Sequence, residues 1–228
     1  MQNAALRAIS VLLLSAIGYL LSGSASAQTP PNNGLVTLAV LKYAGGGDWY
    51  NDPLNLPNLA KELNRRTNIK CNEDRAVAEL TDDKVFNYPF LFITGHGNIV
   101  FTDAEVKRLR DFLENGGFLY ADDDFGMDVS FRREMARVFP DNALVELPYD
   151  HPIFHEVYDF PSGLPKIHEH YEGAPKGFGI YFQNRLVVFY TWNTNISDGW
   201  VDTYNDPPDK REAAFRVGVN IVSYALTH

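Results

Sequence analysis

Residues 89–124 read PFLFITGHGNIVFTDAEVKRLRDFLENGGFLYADDD, and this stretch decides the fold of the chain. Two apolar runs in it each end in a polar cluster, and a segment with helical spacing separates them. Short connections of this kind are typical of a strand, helix, strand crossover between parallel strands. Because the carboxyl ends of parallel strands lie at one edge of an open sheet, we expect GHGN (95–98) and DDD (122–124) to meet there, where such sheets bind ligands.

The segment between the two clusters has clear helix start and stop signals. Thr102 and Glu105 form a capping box, in which each side chain accepts a hydrogen bond from a backbone N–H that the helix leaves free. Leu109 and Leu113 recur at helical spacing and predict an apolar face. The NGG sequence at 115–117 predicts the end of the helix, because glycine readily adopts the left-handed conformation that closes many helices.

The rest of the chain alternates strand and helix patterns in the same way. The predicted elements are a strand at 35–43, a helix at 55–66 capped by Asn55, a short strand at 76–80, a helix at 128–139, an antiparallel hairpin at 177–192 that turns at Gln183 and Asn184, and a C-terminal helix that begins at Asp209. Residues 143–177, rich in proline and histidine, predict a long structured loop region. Together these elements predict a three-layer α/β sandwich with a mostly parallel central sheet and an antiparallel edge hairpin.

The N-terminus has the pattern of a secretory signal peptide. Residues 1–27 combine a basic start at Arg7, an apolar stretch at 8–21 and a small-residue cleavage site at 25–27. An uncleaved anchor is the alternative, but the apolar stretch falls short of the ~20 residues that span a bilayer. We therefore expect an exported protein, periplasmic or extracellular, with no membrane span after cleavage. A linker at 28–34 and a single domain at 35–228 would follow the signal peptide.

Composition excludes some classes of partner. The 228-residue chain carries a formal net charge of −9, with acidic groups spread along it, so nucleic acid is a poor partner. Cys71 is the only cysteine, so no disulfide can form within the chain. No activating pattern surrounds Cys71, and we expect a small buried apolar group rather than a nucleophile.

Six motifs along the chain carry a family resemblance. They are KYAGGGDWYNDP, FLFITGHGNIVFTDAEVKRLRDFLENGGFLYADD, SFRREMARVFP, ELPYDHPIF, LPKIHEH and NDPPDKREAA. From about Leu35 to the C-terminus the chain resembles an exported bacterial family known only as a domain of unknown function, family 4159. More distantly, GGFLYADDD and DHPI resemble the trehalose-utilisation type of domain in the class I glutamine amidotransferase-like superfamily, which implies a flavodoxin-like α/β sandwich.

The amidotransferases of that superfamily carry a cysteine on a sharp turn after a central strand, supported by a histidine and a glutamate. Here Asp122, Asp123 and Asp124 form the corresponding turn, with neither cysteine nor serine. A carboxylate cannot replace the thiolate that forms a thioester, so we expect that the chain is not a glutamine amidotransferase. The resemblance implies an architecture and leaves the activity open.

The two polar clusters supply the candidate catalytic residues. Asp122, Asp123 and Asp124 could bind a metal, because a cation relieves the repulsion of crowded carboxylates. Alternatively, Asp123 or Asp124 could act as a general base, with Asp122 binding a ligand beside them. Helix capping or turn formation is the alternative, although a helix entry needs only one such carboxylate. His96 lies between two glycines, which lets the backbone bring the imidazole close to a ligand; a solvated turn is its alternative. Asn98 follows as a candidate ligand-binding residue.

Three histidines are candidate metal ligands. His168 and His170 alternate around Glu169, so on a strand both imidazoles would face one side at a spacing that suits a divalent metal. His151 or an aspartate would be the third ligand, although a structural turn before Pro152 is the alternative for His151. No HExxH helix or cysteine pair accompanies them, so the cofactor stays open, with a divalent metal as the candidate.

Two segments that follow strands combine aspartate with aromatic residues. They are GGGDWYNDP at 45–53 and NTNISDGWVDTYNDPP at 193–208. Their candidate ligand-binding residues are Asp48, Trp49, Asp198 and Trp200, because exposed aromatic faces beside carboxylates suit sugars. For the NDP pieces, turns that lead into helices are the alternative.

The sequence leaves the function open. The leading interpretation is an exported ligand-binding or scaffolding domain that accepts a small molecule, a glycan or a peptide. The other is a hydrolase that acts on a glycan or peptide, with Asp123 or Asp124 as base and with His96, or His168 and His170, holding water or a metal. A protein partner in the cell envelope is a third interpretation.

Overall fold

A seven-stranded mixed sheet forms the centre of the fold. The structure, a computed structural model, describes residues 34–228. Its strands are β1 (Leu38–Leu41), β2 (Ala76–Ala78), β3 (Phe90–Ile93), β4 (Phe118–Asp122), β5 (Val145–Glu146), β6 (Lys176–Phe182) and β7 (Arg185–Trp192), and they lie in the order β2-β1-β3-β4-β7-β6-β5. The first five strands in that order run parallel, whereas β6 is antiparallel to both of its neighbours. The predicted sheet, mostly parallel with an antiparallel edge, is confirmed.

Helices cover both faces of the sheet and complete a three-layer sandwich. In residues 34–228 they are α1 (Asn55–Arg66), α2 (Asp103–Glu114), α3 (Asp128–Val138) and α4 (Pro208–Thr227). Helices α1 and α4 pack on the face that presents Tyr120, and α2 and α3 pack on the face that presents Leu119. Because β3 and β4 are buried on both faces, their sequences are continuous apolar runs rather than alternating ones.

The predicted capping box is present at the start of α2. The Thr102 hydroxyl accepts a hydrogen bond from the backbone N–H of Glu105 (3.2 Å), and the Glu105 carboxylate accepts one from the N–H of Thr102 (2.8 Å). Asn115 then lies at the C-terminal cap of the helix, directly before the two glycines. The sequence pattern therefore placed both ends of α2 correctly.

The predicted starts of α1 and α4 are wrong in detail. Asn55 is already helical and Leu54 holds the cap position, because Asp52 adopts a positive φ (45°) and the N–H of Asn55 bonds to the Asp52 carbonyl. This turn brings the chain into helical geometry before a side-chain cap is needed. Helix α4 begins at Pro208, one residue before Asp209, with no side-chain cap. Proline fits there because the first turn of a helix leaves its N–H groups unused.

The antiparallel edge is built on a tight turn. Gln183 and Asn184 join β6 to β7 and both have positive φ (49° and 66°), as a two-residue type I′ turn requires. Residues 143–177 form loops for most of their length, as predicted, but they also contain β5, which pairs with β6 and ends the sheet. A strand of two residues is too short to produce a recognisable sequence pattern.

The connections of the parallel strands change direction between β1 and β3. From β1 the chain crosses to β2 on one side, and from β3 it crosses to β4 on the other side. Open α/β sheets bind their ligands at the carboxyl end of such a switch point. Here the loops after β1 (42–54) and after β3 (94–102) pair across it, because the N–H of Val100 donates to the Ala44 carbonyl (2.8 Å) and the N–H of Gly47 donates to the Asn98 carbonyl (3.1 Å). The turn after β4 lies next to the second of these loops.

Some sequence predictions concern residues outside the described range. The predicted signal peptide at 1–27 lies there, as does the predicted linker at 28–34 apart from Gly34. None of the helices in residues 34–228 has the length and apolar character that a membrane crossing requires. Cys71 is buried, and burial raises the pKa of its thiol to about 11, which agrees with an apolar rather than a nucleophilic role.

The capping box generates a stability prediction. We expect Thr102→Ala to lower the free energy of unfolding by about 1 kcal/mol, because the N–H of Glu105 loses its acceptor. Urea denaturation at neutral pH measures this. Thr102→Ser keeps the hydroxyl and should retain most of the stability. If the serine variant were as unstable as the alanine variant, the hydrogen bond would not be the cause.

Candidate functional site

Hydrogen bonds and ion pairs join side chains from separate loops at the carboxyl edge of the sheet. We call this group the edge network. Its members are Asp48 and Asn51 from the loop after β1, His96 from the loop after β3, Asp124 from the turn after β4, His168 from the loop before β6, and Asn195, Asp198 and Asp206 from the segment after β7. The sequence prediction that polar strand ends meet at this edge is correct for His96 and Asp124.

His96 is held by two carboxylates. Its backbone N–H donates to Asp48 Oδ1 (2.5 Å), and its Nδ1 lies 3.1 Å from Asp48 Oδ2 and 3.2 Å from Asp124 Oδ2. Burial alone would lower the pKa of His96, but the carboxylates of Asp124 and Asp48 raise it above its ordinary value. The imidazole is 50% exposed, and Nε2 has no hydrogen-bond partner within residues 34–228. An imidazole fixed at Nδ1 and open at Nε2 is suited to proton transfer.

The glycine before His96 is required for this arrangement. Gly95 has a φ of 130°, which other residues rarely adopt. A Cβ atom at Gly95 would lie 2.6 Å from the Tyr43 hydroxyl and 2.8 Å from Asp48 Oδ1. The backbone therefore approaches Asp48 closely enough for its carboxylate to bind both the N–H and the ring of His96.

A second imidazole is also placed between two carboxylates. His168 Nδ1 lies 2.7 Å from Asp198 Oδ2, and Nε2 lies 3.2 Å from both carboxylate oxygens of Asp206. The hydrogen bond with Asp198 raises the pKa of His168. Asp198 is buried, and burial raises the pKa of its carboxyl to about 7. With both ring nitrogens facing carboxylates, the imidazolium form is favoured.

Asn195 connects the two imidazole groups. Its Nδ2 donates to Asp124 Oδ1 (2.6 Å) and to Asp198 Oδ2 (2.6 Å), so one amide bridges the carboxylate of each histidine. Asn195 is fully buried and has a left-handed backbone with φ of 51°. Asn51 donates to the other oxygen of Asp124 (2.5 Å) and completes its hydrogen bonding.

Asp122 is not available to a ligand. It is completely buried and accepts hydrogen bonds from Thr191 Oγ1 (2.5 Å) and from the backbone N–H of Ser197 (2.6 Å). Burial raises the pKa of its carboxyl. The prediction that Asp122 binds a ligand is therefore wrong: the side chain joins β4 to β7 and to the segment that carries Asn195 and Asp198.

Asp123 lies apart from the edge network. Its Oδ1 accepts from the N–H of Met127 (3.1 Å), the residue before α3, as the predicted alternative of turn formation describes. Both residues lie in the turn after β4, where Asp123 bonds toward α3 while Asp124 bonds to Asn195. Asp123 makes no hydrogen bond to His96 within residues 34–228. The structure thus gives the two predicted bases different surroundings, and only Asp124 touches His96.

The prediction that Trp200 is an exposed stacking surface is wrong. Trp200 is 0% exposed, its Nε1 donates to the Ala214 carbonyl (2.9 Å), and its ring packs against Phe92 and Tyr120. The 3-10 turn Ile196–Trp200 folds back beneath α4 and carries the indole into the core. Asp198 in the same turn stays at the edge and contacts His168.

Trp49 and Asn98 have structural partners. Lys42 and Arg75 lie 6.0 Å and 5.9 Å from the Trp49 ring centroid, and the ring packs partly into the core. Asn98 donates to the Gly45 carbonyl (3.3 Å) and accepts from Arg133 (3.2 Å), so its amide fastens the loop after β3 to the loop after β1. These contacts occupy the groups that the sequence assigned to a ligand.

The three histidines predicted as metal ligands do not form one group. His151 hydrogen-bonds to the Tyr181 hydroxyl (2.8 Å) and accepts from the N–H of Ile153, as a structural turn would. His168 and His170 have ring centroids 6.3 Å apart, but His168 uses both nitrogens on carboxylates. In residues 34–228, no three His, Cys, Asp or Glu side chains are arranged to hold a metal ion.

The loop that carries His168 and His170 is fastened to the segment after β7. The N–H of His168 donates to the Thr194 carbonyl (2.9 Å), and Asn193 Oδ1 accepts from the N–H of Tyr171 (3.0 Å). Lys166 closes the loop on itself by donating to the carbonyls of Tyr171 (2.6 Å) and Gly173 (2.8 Å). Residues 193–195 therefore position both the histidine loop and the edge network.

Sequence reasoning missed Asn195 and treated Asn51 and Asp206 as turn residues. The signal for Asn195 was present as NTN directly after a strand, because asparagine tolerates the left-handed conformation better than other non-glycine residues. Within residues 34–228, six non-glycine residues have positive φ. Two form the hairpin turn, and the other four lie at the carboxyl edge: Asp52, Asn193, Asn195 and Asn205. Such strain is typical of functional sites.

Unpartnered buried polar atoms are also concentrated here. Within residues 34–228 four buried side-chain atoms lack a hydrogen bond, and three of them are Asp123 Oδ2, His170 Nε2 and Asn195 Oδ1. The fourth, on Ser223, belongs to α4. Burial lowers the pKa of His170, as do the nearby His168 and His96, so its imidazole is neutral. Native proteins rarely leave such atoms unpaired, and each costs about 1–3 kcal/mol.

A comparison with models of known protein families identifies the family of the chain. The profile of a family described as "Domain of unknown function (DUF4159)" matches residues 37–226. The chain belongs to this family. The edge network and the whole sheet lie inside the matched range, so they are part of the DUF4159 domain. No curated protein sequence gives a significant match to the chain.

The surroundings of Asp123 generate a pH prediction. Burial raises its pKa to about 6, above the value of about 3.9 for an unfolded aspartate. The folded state therefore holds this proton more tightly, and the group's contribution to stability falls as pH rises from about 4 to about 7. Asp123→Asn has no titrating carboxyl at this position and therefore lacks this loss of stability. Relative to the parent protein it should gain on the order of 2 kcal/mol of unfolding free energy between pH 4 and pH 7.

Denaturation with urea at the two pH values measures the gain. Asp141→Asn makes the same change at an exposed aspartate after α3 and should follow the parent protein. Equal behaviour of the two variants would contradict the raised pKa of Asp123.

Proposed function

We propose that the carboxyl edge of this DUF4159 domain binds a polar ligand, a glycan or a peptide, in an exported protein. The observation that carries the proposal is the pair of unpartnered buried atoms His170 Nε2 and Asn195 Oδ1 in the loops of this edge. An unpaired buried polar atom lowers stability, and a ligand that supplies the missing hydrogen bond would recover this free energy on binding.

The position and strain of the edge support the same proposal. The edge includes the carboxyl end of the topological switch point between β1 and β3, where open α/β sheets bind ligands. Left-handed asparagines and buried aspartates are costly features, and their concentration at one edge is not required by the packing of the core. Residues that reduce stability in this way are commonly retained for function.

Two exposed aromatic rings lie beside histidines of this edge. Tyr204 is partly exposed, packs its ring 5.2 Å from His168, and donates its hydroxyl to Asp52 (2.8 Å). Phe125 is partly exposed and lies 5.1 Å from His170. Rings beside carboxylates suit the apolar faces and hydroxyls of sugars, and they also suit peptide side chains.

A binding screen tests the proposal. Glycans and short peptides would be screened for an increase in melting temperature, and hits would be measured by calorimetry. For a hit, Tyr204→Ala should weaken binding about tenfold, because one aromatic contact is worth about 1 kcal/mol. Phe86→Ala removes an exposed ring before β3, at the opposite edge, and should leave the affinity unchanged. A panel without hits, or equal effects of the two variants, would contradict the proposed site.

A hydrolase is the second candidate, and the geometry of His96 favours it. Asp48 and Asp124 hold Nδ1, and Nε2 has no partner within residues 34–228, as in a general base oriented by a carboxylate. Asp124, which the sequence analysis predicted as a base, would instead orient His96 as the base. The chain would activate water rather than form a thioester, because Asp122, Asp123 and Asp124 stand on the turn after the central strand.

His96→Gln tests the hydrolase candidate. If His96 is the base, the variant should lose more than about 100-fold in hydrolysis of any glycan or peptide that the protein cleaves, while binding that ligand. His155→Gln is the matched control, since His155 also pairs with an aspartate, Asp159 (2.9 Å), and binds the Tyr149 carbonyl. Equal rates for the two variants would exclude His96 as the base.

The proposal also includes the cellular location of the protein and its relationship to the amidotransferase-like superfamily. The sequence at 1–27 supports export to the periplasm or the extracellular space. The strand order β2-β1-β3-β4-β7 follows the flavodoxin-like pattern and supports a distant relationship to the amidotransferase-like superfamily. A protein partner in the envelope would be compatible with both.

A further inference from the structure

One unpartnered atom of the edge, on Asn195, indicates what kind of group the ligand must present. Asn195 is fully buried, and its Nδ2 faces the carboxylates of Asp124 and Asp198. Reversing the amide would place its oxygen against two carboxylates, so the unpartnered atom is the amide oxygen, which can only accept a hydrogen bond. The missing partner is therefore a hydrogen-bond donor.

The charges at this edge restrict the ligand further. Five carboxylates belong to the loops of this edge, namely Asp48, Asp52, Asp124, Asp198 and Asp206. The cations in direct contact with them are the imidazoles of His96 and His168. The ammonium of Lys166, in the same loop as His168, is bound to two backbone carbonyls. An anionic ligand would be repelled, whereas a cationic one would be attracted.

The aromatic border is also suited to a cation. The ring of Tyr204 lies beside His168, and that of Phe125 lies beside His170. The faces of aromatic rings attract ammonium groups, with about 0.5–1 kcal/mol gained at exposed sites. A group that donates hydrogen bonds and carries a positive charge would satisfy the acceptors, the carboxylates and the rings together.

We propose that the ligand presents a protonated primary amine to this edge, as an amino sugar or a lysine side chain does. This inference rests on the proposed function and names the chemistry of the same site. Asp48 is the exposed member of the edge network that would receive the ammonium, since its side chain is 33% exposed while that of Asp124 is 4% exposed.

Calorimetry with matched pairs of probes tests the inference. One pair is a glucosamine hexamer and its fully N-acetylated counterpart, and the other is Ala-Lys-Ala and the same peptide with an acetylated lysine. Each pair differs in the charged amine, and the two pairs distinguish a sugar from a peptide as its source. At about pH 6 and constant salt, we expect one of the free amines to bind at least about tenfold more tightly than its acetylated form.

Two isosteric variants separate specific binding from general charge attraction. Asp48→Asn should weaken binding of the free amine about tenfold. Asp141→Asn makes the same charge change after α3, at the opposite edge, and should leave the affinity within about twofold of the parent protein. Equal effects of the two variants would overturn the inference.

The remaining outcomes distinguish this inference from the proposed function. Equal affinity for free and acetylated probes would overturn the amine while leaving the binding site in place. Binding of only neutral or acidic members of the glycan and peptide panel would do the same. If neither the amines nor any other probe binds, both the inference and the proposed function are wrong.

Discussion

One buried carboxylate determines how the carboxyl edge is assembled. Asp122 accepts hydrogen bonds from Thr191 at the end of β7 and from the N–H of Ser197 in the turn that follows. These bonds fix the segment that carries Asn195 and Asp198. Asn195 then binds Asp124, a partner of His96, and Asp198 binds His168 directly. Removing one partner of a buried hydrogen bond lowers stability, so Asp122 constrains the position of the segment that carries Asn195 and Asp198.

The edge illustrates how a stable core supports a site that lowers stability. Two apolar layers enclose the sheet, while the loops above it contain left-handed asparagines, unpaired acceptors and aspartates with raised pKa values. Burial raises the pKa of Asp124 even though His96 opposes the shift, which shows that removal from water exceeds the attraction of a neighbouring imidazole. Stability differs between parts of a structure, so a stable sheet can support loops at its carboxyl edge that lower the free energy of unfolding.

The sequence predicted the architecture better than it predicted the site, because local patterns determine helices and strands. The capping box at Thr102 and the turn at Gln183 and Asn184 depend on neighbouring residues and are confirmed. The prediction of an exposed Trp200 was wrong because its burial depends on how a 3-10 turn folds under α4, which composition does not reveal. Asn195 escaped notice because its role depends on Asp124, which lies 71 positions away in the sequence. Long-range polar contacts leave no periodic signal.

The outer strands of the sheet have a consequence for association between copies of the chain. Strand β2 has three residues and β5 has two, and these are the two edges of the sheet. Long unpaired edges are templates for pairing with other chains, and short ones offer little backbone for such pairing. By ending its sheet in such short strands, this fold limits edge-to-edge aggregation.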